Sequence, residues 1–431
     1  MGAFIMIGEL LVPLFDVLMA LSHAMDLVSP VLVNHHFRVA YIGCSLADEL
    51  GLSRREKNLV LTAGLLHDVG SLEVKERIDL LKFDVAGTQR HAEMGYRLLR
   101  TCGLLDREAE VVRFHHTRWE AGQGSECGGH EVPRESHVLH LADRIAVLIE
   151  PGMPILQQTQ GIVAKIEEGT NHTFVPEFVA AFKSLAGKES FWLDVSSPSL
   201  KDILYEYRPL SESRLSLKGL LAVGSLTARL VDFRSRFTAA HVAGVAGTAA
   251  ALARAAGLSP REQDIMRLSG YLHDLGKLAV PNEILEKAER LTAQEFALIR
   301  THTHYTYRIL EKIPGLETVN AWASLHHERL DGSGYPFHLK GDDLPFGSRI
   351  MAVADVFTAL TEDRPCRNGM TANEAVGVIE RMVREGALDP LVGSLLKDRL
   401  FEIDEARRES QRMALGEFRA LRPEVDVPPG T

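Results

Sequence analysis

Histidine and aspartate residues recur in the same order in the two halves of this sequence. The order is one histidine, a His-Asp pair, one histidine, a His-His pair and one aspartate. The two sets are His35, His67-Asp68, His91, His115-His116 and Asp143, then His241, His273-Asp274, His302, His326-His327 and Asp355. Ten of the 18 histidines occupy these positions. Neutral imidazoles and carboxylates are good ligands for iron, manganese or zinc, so each set is a candidate metal site.

The number of potential ligands indicates more than one ion in each set. Five histidines and two aspartates are too many for one tetrahedral ion and suit two ions that share a carboxylate. Two ions about 3.5–4 Å apart can activate water for in-line displacement at phosphorus. The four cysteines form no C-x-x-C pair, which argues against a structural zinc site and fits a reducing compartment. The residues alone therefore predict metal-dependent chemistry at phosphorus.

The repeated order reflects a duplicated domain. His67 and His273 are 206 residues apart, and the separation grows slowly to 212 between Asp143 and Asp355. A slow drift over several landmarks is what a duplication with small insertions produces. Because the order recurs as a whole, the repeat outweighs the ordinary interpretation of any single histidine as a core or surface residue.

The segments around these residues have helical patterns. Ser53 and Ser259 follow Gly-Leu turns and are candidate N-caps, and Thr292 with Glu295 has the capping-box spacing. Gly70 and Gly276 follow the His-Asp pairs and are interpreted as helix-ending glycines. No alternating β-branched run is long enough to predict a sheet. The expected fold class is all-α, with two tandem helical bundles.

The predicted domain bounds follow from the repeat. The first domain covers 1–195, a linker covers 196–214, the second domain covers 215–405, and a helix end with a tail covers 406–431. Leucines 10, 11, 14, 18 and 21 recur at helical spacing, which predicts an amphipathic helix packed on the first domain.

Composition excludes several classes of protein. Hydrophobic residues make up 45% of the 431 residues and charged residues 25%, as in ordinary globular proteins. The net charge of -10 argues against binding of polymeric nucleic acid. The apolar segment 3–33 contains three acidic residues and two prolines, which argues against a membrane span, and it lacks the features of a signal peptide. We therefore expect a cytoplasmic protein.

The sequence resembles the HD superfamily of metal-dependent phosphohydrolases, named after its His-Asp doublet. The second half is similar to the HD-GYP family of cyclic dinucleotide phosphodiesterases. The similarity covers most of residues 236–395. It rests on "HDLGK" at 273–277, "VPNEILEKAERLTAQE" at 280–295, "HHERLDGSGYP" at 326–336 and "LPFGSRIMAVADVFTALTEDRP" at 344–365.

The resemblance implies roles for individual residues. It makes Asp274 a carboxylate that bridges two divalent ions, with iron or manganese expected, and makes Lys277 a contact to the scissile phosphate. The implied metal ligands are His241, His273, Asp274, His302, His326, His327 and Asp355, the implied catalytic residues are Asp274 and Lys277, and the candidate substrate contacts are Lys277, Arg329, Gly334, Tyr335 and Pro336. For the "DGSGYP" segment with Tyr335, a surface turn without substrate contact is the alternative.

The second half departs from the family pattern without losing a ligand. Thr306 lies where the family usually has glycine. Thr358 lies where the family usually has the aspartate of "DAL", and Cys366 lies where it usually has the tyrosine of "RPY". Phe237 occupies the position where some members have a glutamate associated with a third metal, so two ions are the better expectation.

The first half is similar to the same family in a diverged form. Its candidate ligands are His35, His67, Asp68, His91, His115, His116 and Asp143. It lacks the Tyr-Pro loop, and Ser71 replaces the lysine. We expect it to bind metal and to be weakly active, different in specificity or regulatory.

The resemblance implies hydrolysis of a cyclic dinucleotide, with cyclic di-GMP as the preferred substrate and pGpG or GMP as the product. Cyclic GMP-AMP is the alternative substrate, and a different HD phosphohydrolase such as a nucleotidase is a further alternative. From another class, a catalytically silent signalling scaffold that binds nucleotide remains an alternative. Pairing of the two domains within the chain, a homo-oligomer and a signalling-protein partner are left open.

Overall fold

The computed structural model describes residues 10–27, 33–71, 83, 89–209, 213–234, 240–287, 289–363 and 368–421. The chain forms two compact units, Pro13–Ser213 and Arg214–Thr431, the latter together with Met1–Val12. Within the described residues the strands are two residues long: Val12–Pro13 with Arg214–Leu215, and Glu126–Cys127 with His130–Glu131. The all-α fold class is confirmed.

The Pro13–Ser213 unit is built from short helices. Its described α-helices are α1 (Leu14–Asp26), α2 (His35–Glu49), α3 (Arg54–Leu66), α4 (Gln89–Arg100), α5 (Asp106–Arg113), α6 (Arg134–Val147), α7 (Thr159–Glu168), α8 (Pro176–Ala186), α9 (Glu189–Val195) and α10 (Leu200–Glu206). Two 3-10 segments, Glu120–Ser125 and Ile155–Gln157, lie between them. Helix α2 packs against both α3 and α6, which brings the candidate ligands of this half together.

The second unit repeats this arrangement and ends in a longer helix. Its described α-helices are α11 (Leu217–Asp232), α12 (His241–Ala255), α13 (Pro260–Leu272), α14 (Asn282–Leu285), α15 (Ala293–Leu310), α16 (Glu317–Ser324), α17 (Phe346–Thr361), α18 (Ala372–Arg384), α19 (Pro390–Asp398) and α20 (Leu400–Leu421). The segments Leu275–Ala279 and Gly341–Asp343 are 3-10 turns. Helix α12 packs against α13, α17 and α20, around a core that includes Leu252, Met266 and Phe357.

The predicted helix caps are confirmed. The Ser53 side chain accepts a hydrogen bond from the Glu56 amide, and Ser259 and Thr292 do the same with Glu262 and Glu295. In each case the glutamate side chain returns a bond to the cap amide, which satisfies two free donors at the start of the helix. The two serines begin the helices that end at the His-Asp pairs.

The interpretation of Gly70 and Gly276 as helix-ending glycines is wrong. Neither has the positive φ of a helix C-cap glycine. A Cβ at Gly70 would lie 2.0 Å from the backbone oxygen of His91, and one at Gly276 would lie 2.0 Å from that of His302. Each glycine therefore allows the segment after the His-Asp pair to touch the helix that carries the next histidine.

The predicted N-terminal helix starts later than its leucine pattern. It begins at Leu14, so Leu10 and Leu11 precede it, and Leu11 is 41% exposed. The predicted linker 196–214 contains α10, and α20 runs continuously through the predicted domain end at residue 405. None of the described helices combines the length and the low polarity that crossing a membrane requires.

Candidate active site

All seven predicted ligands of the second half lie together, carried by helices α12, α13, α15, α16 and α17 or by the residues directly after them. Three overlapping groups have ligand atoms within 4.8 Å of one another: His302, His326 and His327; His241, His273 and Asp355; and His273, Asp274 and His326. The side chains of His273 and His302 are almost completely buried. The helices thus converge on one polar cluster inside an apolar bundle.

Asp274 lies between the histidines, and its two oxygens face different rings. Oδ1 is 3.4 Å from His302 Nε2, and Oδ2 is 3.1 Å from His273 Nε2. The two oxygens of Asp355 also face different rings: Oδ1 lies 3.3 Å from His241 Nε2, and Oδ2 lies 3.7 Å from His327 Nδ1. This arrangement suits a carboxylate shared by two ions.

The backbone fixes the orientation of three of the rings. Nδ1 of His273 donates to Gly270 O at 2.8 Å, that of His302 donates to Ile299 O at 2.7 Å, and that of His326 donates to Ala323 O at 2.6 Å. His273 and His326 lie at helix C-termini, where carbonyl groups lack intrahelical donors. With the proton on Nδ1, the lone pair of each Nε2 points into the cluster.

These nitrogen atoms fit a metal ion better than they fit one another. His302 Nε2 and His326 Nε2 are 3.3 Å apart, although both carry lone pairs in the tautomer that the backbone bonds select. His273 Nε2 is buried and makes no well-angled hydrogen bond with the described residues. Nitrogen ligands about 2.1 Å from one ion are themselves about 3.0–3.4 Å apart. The donor set is therefore suited to divalent metal ions.

The fourth ring, His241, is held by a residue that sequence reasoning missed. Its Nδ1 donates to Glu362 Oε2 at 2.8 Å, and Gln411 Nε2 of α20 donates to Glu362 Oε1 at 2.5 Å. Glu362 lies inside the segment 344–365 on which the family resemblance rests, so the sequence could have singled it out as a candidate site residue. Its partner His241 is 121 residues away and only the fold reveals the pairing.

Charge around the cluster stabilises ionised aspartate. Burial alone would raise the pKa of Asp274, but His273 and Lys277 hold it well below its usual value. Lys277 Nζ lies 2.6 Å from Asp274 Oδ2 and its side chain is 21% exposed. Burial would lower the pKa of His241, but Glu362 and Asp355 raise it to about 10. Lys277 thus places a positive charge between the cluster and solvent.

Glu328, a second residue that sequence reasoning missed, holds the loop of residues 329–339 in place through hydrogen bonds. The completely buried Glu328 carboxylate accepts hydrogen bonds from Phe337 N at 2.7 Å and from Leu339 N at 3.1 Å. A Cβ at Gly334 would lie 2.3 Å from Arg329 N, so the loop requires glycine at this position. The buried carboxylate and this glycine fold the loop back over the histidine pair.

The folded loop places two of the predicted substrate contacts next to the cluster. The Tyr335 ring lies 4.9 Å from the His327 ring, and Pro336 follows it in the same loop. Nη1 of Arg329 is buried without a hydrogen-bond partner among the described residues. The Arg300 guanidinium, which was not predicted, lies 4.5 Å from the centre of the Tyr335 ring. Lys277 beside Asp274 and Arg300 beside Tyr335 thus give this region positive charge.

Thr306, a departure from the family pattern, has a structural role. Its hydroxyl accepts a hydrogen bond from Gly276 N and donates one to His273 O, both at 3.0 Å. It joins α15 to the segment that carries the His-Asp pair. Thr358 is buried, with its hydroxyl 3.2 Å from that of Thr248. Two other positions singled out in the sequence, Phe237 and Cys366, lie outside the described residues.

All seven predicted residues of the first half also come together. Asp68, His91, His115 and His116 have ligand atoms within 4.8 Å of one another, and His35, His67 and Asp143 form a second such group. Asp68 again faces two sides, with Oδ1 3.4 Å from His91 Nε2 and Oδ2 3.5 Å from His67 Nε2. Ser71, at the lysine position, is buried.

Burial gives both clusters a predictable response to acid. It lowers the pKa of His35 and His302 to about 4 and that of His115 and His327 to about 3. In the unfolded chain these groups bind protons below about pH 6.5, whereas the folded chain does not, so stability falls as the pH decreases. His241, whose pKa is raised to about 10, is protonated in both the folded and the unfolded chain below about pH 6.5, so its contribution to stability stays constant over this range.

The metal-free protein is therefore expected to lose stability between about pH 6.5 and pH 4, by up to about 1.4 kcal/mol per pH unit for each of the four histidines. Urea unfolding of chelator-treated protein at a series of pH values measures this loss. The exposed His130 provides a control, because His130→Ala is expected to leave the pH dependence unchanged. An unfolding free energy that stays constant over this range would contradict the prediction.

Comparisons with known proteins agree with this geometry. Models of the HD domain match residues 224–392 and residues 32–148. The 3'3'-cGAMP-specific phosphodiesterase 1 of Vibrio cholerae is 32% identical over 381 residues, which cover 86% of this chain and 88% of that protein. The cyclic di-GMP phosphodiesterase response regulator RpfG of Xanthomonas campestris is 36% identical over 41% of this chain and 47% of its own length.

A solved structure supports the same fold. The crystal structure of V-cGAP3, a cyclic GMP-AMP specific phosphodiesterase of Vibrio cholerae, matches with a TM-score of 0.65 and 23% identity. The match covers 90% of this chain and 98% of that chain. The chain belongs to the HD-GYP family of metal-dependent cyclic dinucleotide phosphodiesterases and contains two HD domains.

Proposed function

We propose that this chain hydrolyses 3'3'-cGAMP at the metal cluster of its second half, which binds two divalent ions, iron or manganese, through the seven residues described above. The observation that carries the choice of substrate is the similarity to a 3'3'-cGAMP-specific phosphodiesterase over 86% of this chain. The cyclic di-GMP relative RpfG aligns with 41% of it. The comparisons therefore favour 3'3'-cGAMP over cyclic di-GMP, the substrate that the family resemblance alone predicts.

The reaction adds water across one phosphodiester bond. A P–O bond forms to the water oxygen, the bond from phosphorus to the 3' oxygen breaks, and a proton moves to that 3' oxygen, which leaves a linear dinucleotide. Bound divalent ions would supply Lewis acidity and lower the pKa of the attacking water. Two aspartates whose oxygens face different histidines favour a pair of ions over a single one.

The other residues of the site would bind and orient the substrate. Lys277 is directed toward Asp274 and remains partly exposed, so it can contact the scissile phosphate as negative charge develops on it. Tyr335 lies at the edge of the cluster, where it can stack on a purine base. Arg329, whose Nη1 has no hydrogen-bond partner within the described part of the chain, is the candidate contact for the second phosphate.

The activity can be tested with anaerobically purified full-length protein supplied with Mn²⁺, and with products separated by chromatography. We expect kcat/KM for 3'3'-cGAMP to exceed that for cyclic di-GMP by about 10-fold or more, the usual range for discrimination between related ligands. The reverse preference would assign cyclic di-GMP as the substrate. No turnover of either by protein that contains bound metal would favour the nucleotide-binding scaffold.

A further inference from the structure

A buried arginine lies against the metal cluster of the first half. Arg144 is 4% exposed and follows the candidate ligand Asp143, which is 2% exposed. The guanidinium donates to Asp143 Oδ2 from Nη2 at 2.6 Å and from Nε at 3.2 Å. Its Nη1 donates to Phe83 O at 3.0 Å, which fixes the group in this position. One oxygen of the carboxylate is thus already engaged by a cation.

The equivalent aspartate of the second half has different surroundings. Val356 occupies the position of Arg144, 212 residues later. Both oxygens of Asp355 face histidines, at 3.3 Å from His241 and at 3.7 Å from His327. Within the part of the chain that the structure describes, Asp355 has no ion pair with lysine or arginine. Its full charge is therefore directed to the ligand cluster.

The remaining ligands of the first half need no contribution from Asp143. Asp68, His91, His115 and His116 bring four ligand atoms within 4.8 Å of one another, which is enough for one four-coordinate ion. His91 Nε2 lies 3.1 Å from His116 Nε2 and 3.4 Å from Asp68 Oδ1. These separations match those between neighbouring ligands of a single ion, about 3.0–3.4 Å.

The second group of this half is weakened by the arginine. His35, His67 and Asp143 supply three ligand atoms within 4.8 Å of one another. Asp68 also directs Oδ2 toward His67, at 3.5 Å, but shares its charge with the first group through Oδ1, so Asp143 is the carboxylate that this group does not share. A guanidinium in contact with that carboxylate cancels much of its attraction for a dication and adds direct repulsion at short range. The loss is large because the pair is buried, where solvent screens little.

We propose that the first half holds one divalent ion tightly, at Asp68, His91, His115 and His116, and that Arg144 prevents tight binding of a second ion at His35, His67 and Asp143. The two halves then share a ligand pattern but differ in ion number. A half with one ion lacks the two-ion clamp and, with Ser71 at the lysine position, serves as a metal-stabilised module.

The proposal can be tested by counting Mn²⁺ in the full chain after equilibrium dialysis at a fixed free concentration, with mass spectrometric metal analysis. Arg144→Val, which introduces the residue of the second half, is expected to increase the count by about one ion per chain. Asp143→Asn added to this variant is expected to remove that gain. Arg134→Val, an exposed arginine on the same helix, is the matched control and should leave the count unchanged.

Two results would overturn the proposal. One is an unchanged count in Arg144→Val protein that is folded by circular dichroism. The other is a loss of one ion on Asp143→Asn in the otherwise unaltered chain, which would place a tightly bound ion at Asp143 despite the arginine. This second variant keeps the test decisive if Arg144→Val does not fold. The count involves no nucleotide, so it stands apart from the proposed activity.

Discussion

Asp274→Asn is expected to reduce kcat for the cyclic dinucleotide by about 10³-fold or more, because the change removes the charge that two sides of the cluster share. Both oxygens of this carboxylate face histidine nitrogens, at 3.1 Å and 3.4 Å. Asparagine keeps the volume but replaces one acceptor oxygen with an NH₂ donor, which cannot bind a metal ion. Steady-state turnover and bound Mn²⁺ should both fall.

The control for this variant is Asp264→Asn, on the exposed face of α13, the helix that ends just before the His-Asp pair. It makes the same chemical change outside the cluster and is expected to retain turnover. The double variant His273→Ala/Asp274→Ala tests the same assignment without an asparagine donor. Full turnover in that double variant would transfer the chemistry to the cluster of the first half.

Lys277→Met should lower kcat by about 10²-fold and change KM much less, because a fixed cation is most valuable when charge develops on the phosphoryl oxygens. Methionine is of similar length and removes the ammonium group that lies 2.6 Å from Asp274. The measurement is a full kinetic comparison with bound metal counted in parallel, so that loss of an ion is not mistaken for loss of the lysine.

Lys287→Met is the matched control for this second change. Lys287 pairs with Glu295 near the start of α15 and has no contact with the cluster among the described residues. If Lys277→Met instead raised KM and left kcat unchanged, the lysine would bind substrate and transition state equally well. Its role in stabilising developing charge would then be wrong.

Much of this architecture could be predicted because the relevant signals are local or repeated. The caps at Ser53, Ser259 and Thr292 are set by residues three positions apart, so they can be identified without tertiary information. The ligand order was recognisable because it occurs twice. The fold then brings each set together, with some ligands at helix ends, such as His273, and others inside helices, such as His302 and Asp355.

The supporting residues could not be predicted, because their partners are distant in the chain. Glu362 meets a histidine 121 residues earlier. Glu328 is adjacent to His327, yet only the folded loop shows that its carboxylate binds two amides. Arg144 could have been noticed by comparing the residue after each repeated aspartate. Its effect nevertheless depends on the direction of the guanidinium, which a sequence does not give.

Because Gln411 holds Glu362, a working second domain must include part of α20. All seven candidate ligands lie before residue 360, and the predicted domain ended at residue 405. The carboxylate that orients His241 is itself held by an amide six positions beyond that end, in the middle of α20. The shortest fragment with a correctly oriented cluster is therefore longer than the shortest fragment that contains every ligand.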